Sequence, residues 1–130
     1  MMKNRTNIVV FVLALMGVSF FAGIQACETH EAKPAQSERF EQIDNEHIHS
    51  WRSVIMPDQP LKLHRHKYPR QVTALTDGVL ERTLENGEVI SRHEWKAGES
   101  YWLDADPETQ LHYCVNAGSE PLIVVVTEVK

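Results

Sequence analysis

"LKLHRHKYPRQVTALTDG", Leu61 to Gly78, sets two histidines two residues apart inside an alternating apolar run and closes on Asp-Gly. On an extended strand, residues two apart share a face and lie roughly 6.6 Å apart, so two imidazoles there can lean towards one ion at about 2.0–2.1 Å. His64 and His66 are therefore candidate metal ligands, and a third donor has to come from elsewhere in the chain. The same spacing recurs at His47 and His49 without further support, and that pair reads as an exposed strand.

Around this stretch, short alternating runs succeed one another at strand length: "HIHSWRSVI", "LKLHRH", "RQVTALT", "VLERTL", "EVISRHEW", "SYWL", "LHYCVN" and "PLIVVVTEV". None sustains a helical period. Asp77-Gly78 and Asn86-Gly87 suit hairpin turns that need positive φ, which predicts a meander of three strands. Ala97-Gly98 and "NAGSEP" mark further turns. About eight short strands in under ninety residues point to an all-β fold, a small antiparallel β-barrel or double-sheet jelly roll.

The N-terminal quarter differs in kind. Lys3 and Arg5 precede an uncharged apolar run from Ile8 to Ile24, which predicts an export signal over residues 1–26. "GIQAC" is similar to the bacterial lipoprotein signal, which implies a lipid on Cys27 and a membrane anchor; cleavage by an ordinary signal peptidase is the alternative, giving a soluble periplasmic protein. Residues 27–45 are rich in Glu, Lys, Pro, Gln and Ser and read as a flexible tether, with the barrel over residues 46–130.

Composition narrows the partners. With 42% hydrophobic residues the 130-residue chain can bury one core, and its formal charge is −5. Loss of residues 1–26 removes Lys3 and Arg5 and no acid, moving the charge to −7. So acidic a chain is not expected to bind nucleic acid. The cysteines, Cys27 and Cys114, form no disulfide framework. A phosphate-binding Gly-rich loop, a Gly-x-Ser-x-Gly nucleophile elbow and a Cys-x-x-Cys pair are all missing from the sequence.

Two separated segments carry a resemblance. His64, His66, four residues, Gln71, six residues and Gly78 resemble the first cupin motif: His-x-His, three or four residues, Glu, six residues, Gly. Pro107-Glu108-Thr109, two residues, His112, three residues and Asn116 resemble the second: Pro-x-Gly, two residues, His, three residues, Asn. The sequence departs at Gln71 for the ligand glutamate, at Thr109 for a glycine, and at Asp58 and Tyr101 for the motifs' leading glycines. The resemblance to the cupin superfamily implies a barrel holding one divalent metal ion (Fe, Ni, Cu, Zn or Mn) on His64, His66 and His112. Gln71 then offers its amide oxygen as a weak fourth ligand.

Strand parity, applied to that barrel, turns Gln71 and Thr73 inward together and His112, Cys114 and Asn116 inward together. Tyr68, Thr73, Cys114 and Asn116 are accordingly pocket candidates, Cys114 as a small buried hydrophobe and Asn116 as a pin for backbone. Arg70 and Lys67 read as solvent charges. Trp51, Trp95 and Trp102 read as core or dimer contacts, and "LDADPETQ" as an acidic loop or a lid.

Three imidazoles without a carboxylate leave an ion its full double charge, which favours an anionic ligand. Cupins include dioxygenases, isomerases and lyases, so the resemblance implies an enzyme acting on a small anionic organic molecule. The alternative is a non-catalytic module that binds or senses a small molecule or a metal; a metal-free barrel with packed histidines is the third reading. Pairing through edge strands implies a homodimer.

Overall fold

The structure, a computed structural model, describes residues 36–130, and in these every regular element is a strand. The order is β1 (Glu38–Asp44), β2 (Ile48–Ile55), β3 (Arg70–Ala74), β4 (Gly78–Thr83), β5 (Val89–Trp95), β6 (Ser100–Leu103), β7 (Tyr113–Asn116) and β8 (Leu122–Val129). Two antiparallel sheets result, one of five strands in the order β1-β2-β8-β3-β6 and one of three in the order β5-β4-β7. The expected all-β double-sheet jelly roll is what the chain forms. The signal over 1–26, the lipid site Cys27 and the tether's first residues lie outside the described residues. Within them no helix is long and apolar enough to cross a membrane.

Alternation explains the packing. Along β8, Leu122, Val124, Val126 and Glu128 are buried while the residues between them are half-buried. Trp51 and Ile55 of β2, Val72 and Ala74 of β3, Leu80 of β4, Trp95 of β5 and Cys114 of β7 complete the core cluster. Each large apolar side chain buried this way contributes about 1.5–3 kcal/mol. Trp51 and Trp95 are core, as expected, whereas Trp102 on edge strand β6 is 58% exposed.

The structure redraws three boundaries. Residues 38–44, placed in the tether by their composition, form β1 and pair along β2 from Glu38 opposite Val54 to Asp44 opposite His49, with a bulge near Glu41. Almost all of β1 is exposed, so it lacks the apolar alternation that reveals a strand. It is held by backbone pairing and by guanidinium–ring contacts, Arg39 lying 3.7 Å from the Trp51 ring centroid and Arg52 4.7 Å from that of Phe40.

Asp77-Gly78 is the second difference. Asn86-Gly87 turns the β4–β5 hairpin with Gly87 at φ 89°, but β3 and β4 lie in different sheets and the chain crosses between them at 75–77. Gly78 packs closely: a Cβ there would stand 2.8 Å from Leu122 Cδ1, so the buried Leu122 side chain would have to shift. Third, "LKLHRH" forms no strand and bends at Leu63. It is tied to the barrel where His64 and His112 exchange backbone bonds, His64 N–H to His112 O at 3.0 Å and His112 N–H to His64 O at 2.8 Å. This exchange brings the two sequence motifs side by side.

Candidate metal centre and cavity

His64, His66 and His112 converge, each offering a donor atom within 4.8 Å of the others. His112 is wholly buried, His66 nearly so and His64 half-buried. The ring partners fix the tautomers. His64 Nδ1 donates to Lys62 O at 2.6 Å, and His66 Nδ1 donates to a Glu128 oxygen at 2.7 Å. A neutral ring that donates from Nδ1 carries its lone pair on Nε2. The two Nε2 atoms are 3.2 Å apart, so two lone pairs face one another across a gap close to the roughly 3.3 Å spanned by two nitrogens on a tetrahedral ion.

Burial pushes His64 and His66 below the ordinary imidazole range, the bonds to Lys62 O and to Glu128 opposing it in turn. Burial, with the Arg82 guanidinium second, pushes His112 down to about 4. All three rings are therefore neutral near pH 7, the state a metal requires. Neither nitrogen of His112 has a hydrogen-bond partner. A buried unpaired polar atom costs about 1–3 kcal/mol, and a ligated ion is the partner that would remove this cost. The donor set fits a divalent ion.

Behind the imidazoles stand two carboxylates that the sequence reading left in strand and loop. Glu128, from β8, orients His66 as above, and Trp51 stacks parallel to the same ring with centroids 5.9 Å apart. Asp106, from the acidic "LDADPETQ" segment, is buried. It accepts the His66 backbone N–H at 2.7 Å and Arg82 Nη2 at 2.7 Å, and lies 3.5 Å from Arg70 Nη2 and 3.7 Å from His112 Nδ1. The segment is thus more than a plain acidic loop. Burial opposes the Asp106 charge, but the His66 N–H and the two guanidiniums prevail and hold the carboxyl below its usual range. Asp106 is one of three acids in that segment, set between Ala105 and Pro107, and nothing in the sequence singles it out.

Gln71 is not a ligand. It is exposed on the outer face of β3, where its amide donates to Ser100 Oγ at 3.2 Å and to Thr73 Oγ1 at 3.4 Å. Thr73 shares that outer face, so neither residue enters the cavity. The inward parity of β3 is the opposite one: Arg70, Val72 and Ala74 are buried, and the Arg70 side chain is 3% exposed, donating from Nη1 to Asp104 O at 2.9 Å. The first motif allows three or four residues after its second histidine, and the shorter spacing lands on Arg70. A buried guanidinium, assigned to solvent by the longer spacing, therefore stands inside the barrel.

The remaining candidates divide. Cys114 lines the cavity, with Sγ 3.8 Å from His64 Nε2. Burial pushes its thiol up to about 12, so the protonated form persists, as for a small hydrophobe. Asn116 does not line the cavity; its amide donates to Ile55 O and Glu120 O, at 2.8 and 2.7 Å, and its oxygen accepts the Gly118 N–H, so it pins backbone. Tyr68 also lies off the cavity, with the Lys67 ammonium 5.3 Å from its ring. Of the other histidine pair, His47 is exposed, while His49 bonds Glu41 at 2.6 Å. Asp58 adopts φ 59°, the left-handed conformation that a glycine would adopt without strain.

The cavity has a volume of about 160 Å³ and is walled by Trp51, Ile55, Leu80, Val124 and Val126 together with His64 and His66. Its other polar wall is cationic: Arg39, Lys62, Arg70 and Arg82 line it, and no acidic side chain does among the described residues.

Known structures share this fold. A cupin domain from Bordetella pertussis superposes with a TM-score of 0.62 at 23% identity, over 75% of this chain and 97% of that one. An RmlC-like cupin from Methanocaldococcus jannaschii gives 0.56 at 16% identity, over 76% and 84%. A Klebsiella pneumoniae protein with a double-stranded β-helix domain gives 0.52 at 22%, over 75% and 79%. No family model and no curated protein matches the sequence. Strand order, the paired motif segments and these likenesses together establish that the chain has the cupin fold, a double-stranded β-helix.

Proposed function

We propose that the protein is an exported cupin that binds one divalent metal ion on His64, His66 and His112 and acts enzymatically on a small anionic organic molecule. The observation that carries the reading is the pair of Nε2 lone pairs at 3.2 Å beside a buried His112 whose nitrogens have no hydrogen-bond partner. Bound there, an ion would supply Lewis-acid or oxygen-activating chemistry of the dioxygenase, isomerase or lyase kind. The chain's residues do the rest: Glu128 and Lys62 O hold the rings in their ligating tautomer, Trp51 and the valines exclude water, and the cationic wall attracts the anion. A cavity of about 160 Å³ matches a ligand near the size of benzene, since a cavity of roughly 150 Å³ takes that molecule.

Metal analysis of untagged protein is expected to find one equivalent of a first-row divalent ion per chain. Protein that remains metal-free after dialysis against Zn²⁺, Mn²⁺, Fe²⁺, Ni²⁺ and Cu²⁺ in turn rules the reading out. Export rests on the leader and "GIQAC". The mature chain's mass is expected to lack residues 1–26 and to carry an acyl increment that vanishes in Cys27→Ala; a wild-type chain without the increment defeats the lipid anchor.

A further inference from the structure

We propose that the cavity is a joint site for a metal ion and a small carboxylate, each tightening the binding of the other, with Arg70 in the cavity wall holding the carboxylate. The inference rests on the metal reading above and adds the ligand's class and its thermodynamic role.

Charge carries the argument. The three imidazoles are neutral donors and bring no negative charge to an ion. Arg70 and Arg82 stand in the cavity wall, and the two nearby carboxylates are already engaged: Asp106 by both guanidiniums and the His66 N–H, Glu128 by His66 Nδ1. A divalent ion entering this setting adds two positive charges beside two guanidiniums with no new counter-charge from the chain. Asp106 and Glu128 already offset the two guanidiniums, so the ion's double charge stays unbalanced, and in a partly buried site its attraction for an anion seated on those guanidiniums is weakly screened. An anion entering alone meets the guanidiniums but no ion. Each is therefore held better in the other's presence, which is a positive coupling between two ligands.

The lining selects the anion. Arg82 Nε is buried without a hydrogen-bond partner, and the Arg82 side chain stands in the cavity wall. Trp51, Ile55, Leu80 and Val124 present hydrocarbon to the rest of the ligand. A phosphate, hydrated on every side, would have to shed that water against apolar walls, whereas a carboxylate with a short hydrocarbon body places its charge on the guanidiniums and its carbons on the walls. The volume limits it to about the bulk of a six-membered ring.

The test is a Co²⁺ titration of the untagged protein, followed by visible absorption, in chloride, propionate or phosphate at matched ionic strength. Propionate is expected to tighten Co²⁺ binding at least about tenfold over chloride, and phosphate less than propionate. Calorimetry of propionate binding, with and without Co²⁺, is expected to show the same factor, because the coupling is reciprocal. Arg70→Gln is expected to bind Co²⁺ with the propionate effect reduced to under about threefold; should that variant not fold, the reciprocal pair of wild-type titrations still decides the coupling. Equal Co²⁺ affinity in chloride and propionate overturns the joint site while leaving the metal reading standing, and Co²⁺ failing to bind with any anion overturns the metal reading itself. Phosphate matching propionate overturns the carboxylate assignment. An undiminished propionate effect in Arg70→Gln overturns the role given to Arg70.

Discussion

His112→Ala is expected to lower metal affinity by well over a hundredfold. Loss of an outer-sphere partner typically costs 10–100-fold, and His112 is argued to be a direct donor, so its removal has to exceed that range. The fold itself should tolerate the change. Truncation removes two buried nitrogens that have no hydrogen-bond partner, which relieves a desolvation cost, and opens a void, which adds one. The two effects oppose each other, and the metal-free variant is expected within about 2 kcal/mol of metal-free wild type by urea denaturation. Gln71→Ala provides the contrast: its amide bonds Ser100 and Thr73 on the outer face, so metal affinity should stay within about twofold. A competition titration against a chromophoric chelator reads all three proteins. Retention of the ion by His112→Ala, or its loss from Gln71→Ala, removes the assignment made here.

That contrast marks where sequence reading succeeds and where it stops. His64, His66 and His112 were legible because their spacing sits in two short segments whose order is fixed by the fold, and the structure joins them through a reciprocal backbone pair. The inward face of β3 was not legible, because Gln71 and Arg70 are adjacent and a shift of one residue in strand parity exchanges inside for outside. A polar amide looks a better ligand than a guanidinium, and only the partners of Arg70, Asp104 O and Asp106, show why a charge is tolerated inside. Asp106 was hidden for a related reason. Its function depends on three groups from distant segments, Arg70, Arg82 and the His66 N–H, and no periodicity encodes such a meeting. β1 was missed because an exposed edge strand has no apolar face to reveal it.

Asp106 also governs the second large effect, on stability. Asp106→Ala leaves the buried Arg70 side chain and the largely buried Arg82 side chain without their shared carboxylate, and the His66 backbone N–H without an acceptor. Removing one partner of a buried ion pair typically costs 3–5 kcal/mol, because the remaining charge is left uncompensated. For a domain of this size that corresponds to a fall of roughly 2–4 M in the urea midpoint, measured on metal-free protein. The dependence on pH carries the same signature. The folded-state pKa of Asp106 lies below its unfolded value, so its contribution is fully present above the ordinary carboxylate range and disappears as pH falls through the depressed value. The buried histidines act in a higher window. With His112 down at about 4, the unfolded chain binds protons that the folded one does not between roughly pH 6.5 and 4, and stability falls with pH there as well. Asp106→Ala should therefore keep the upper slope and lose part of the lower one. A variant as stable as wild type at pH 7 would mean that Arg70 and Arg82 are satisfied without Asp106, and the charge balance on which the carboxylate site depends would no longer hold.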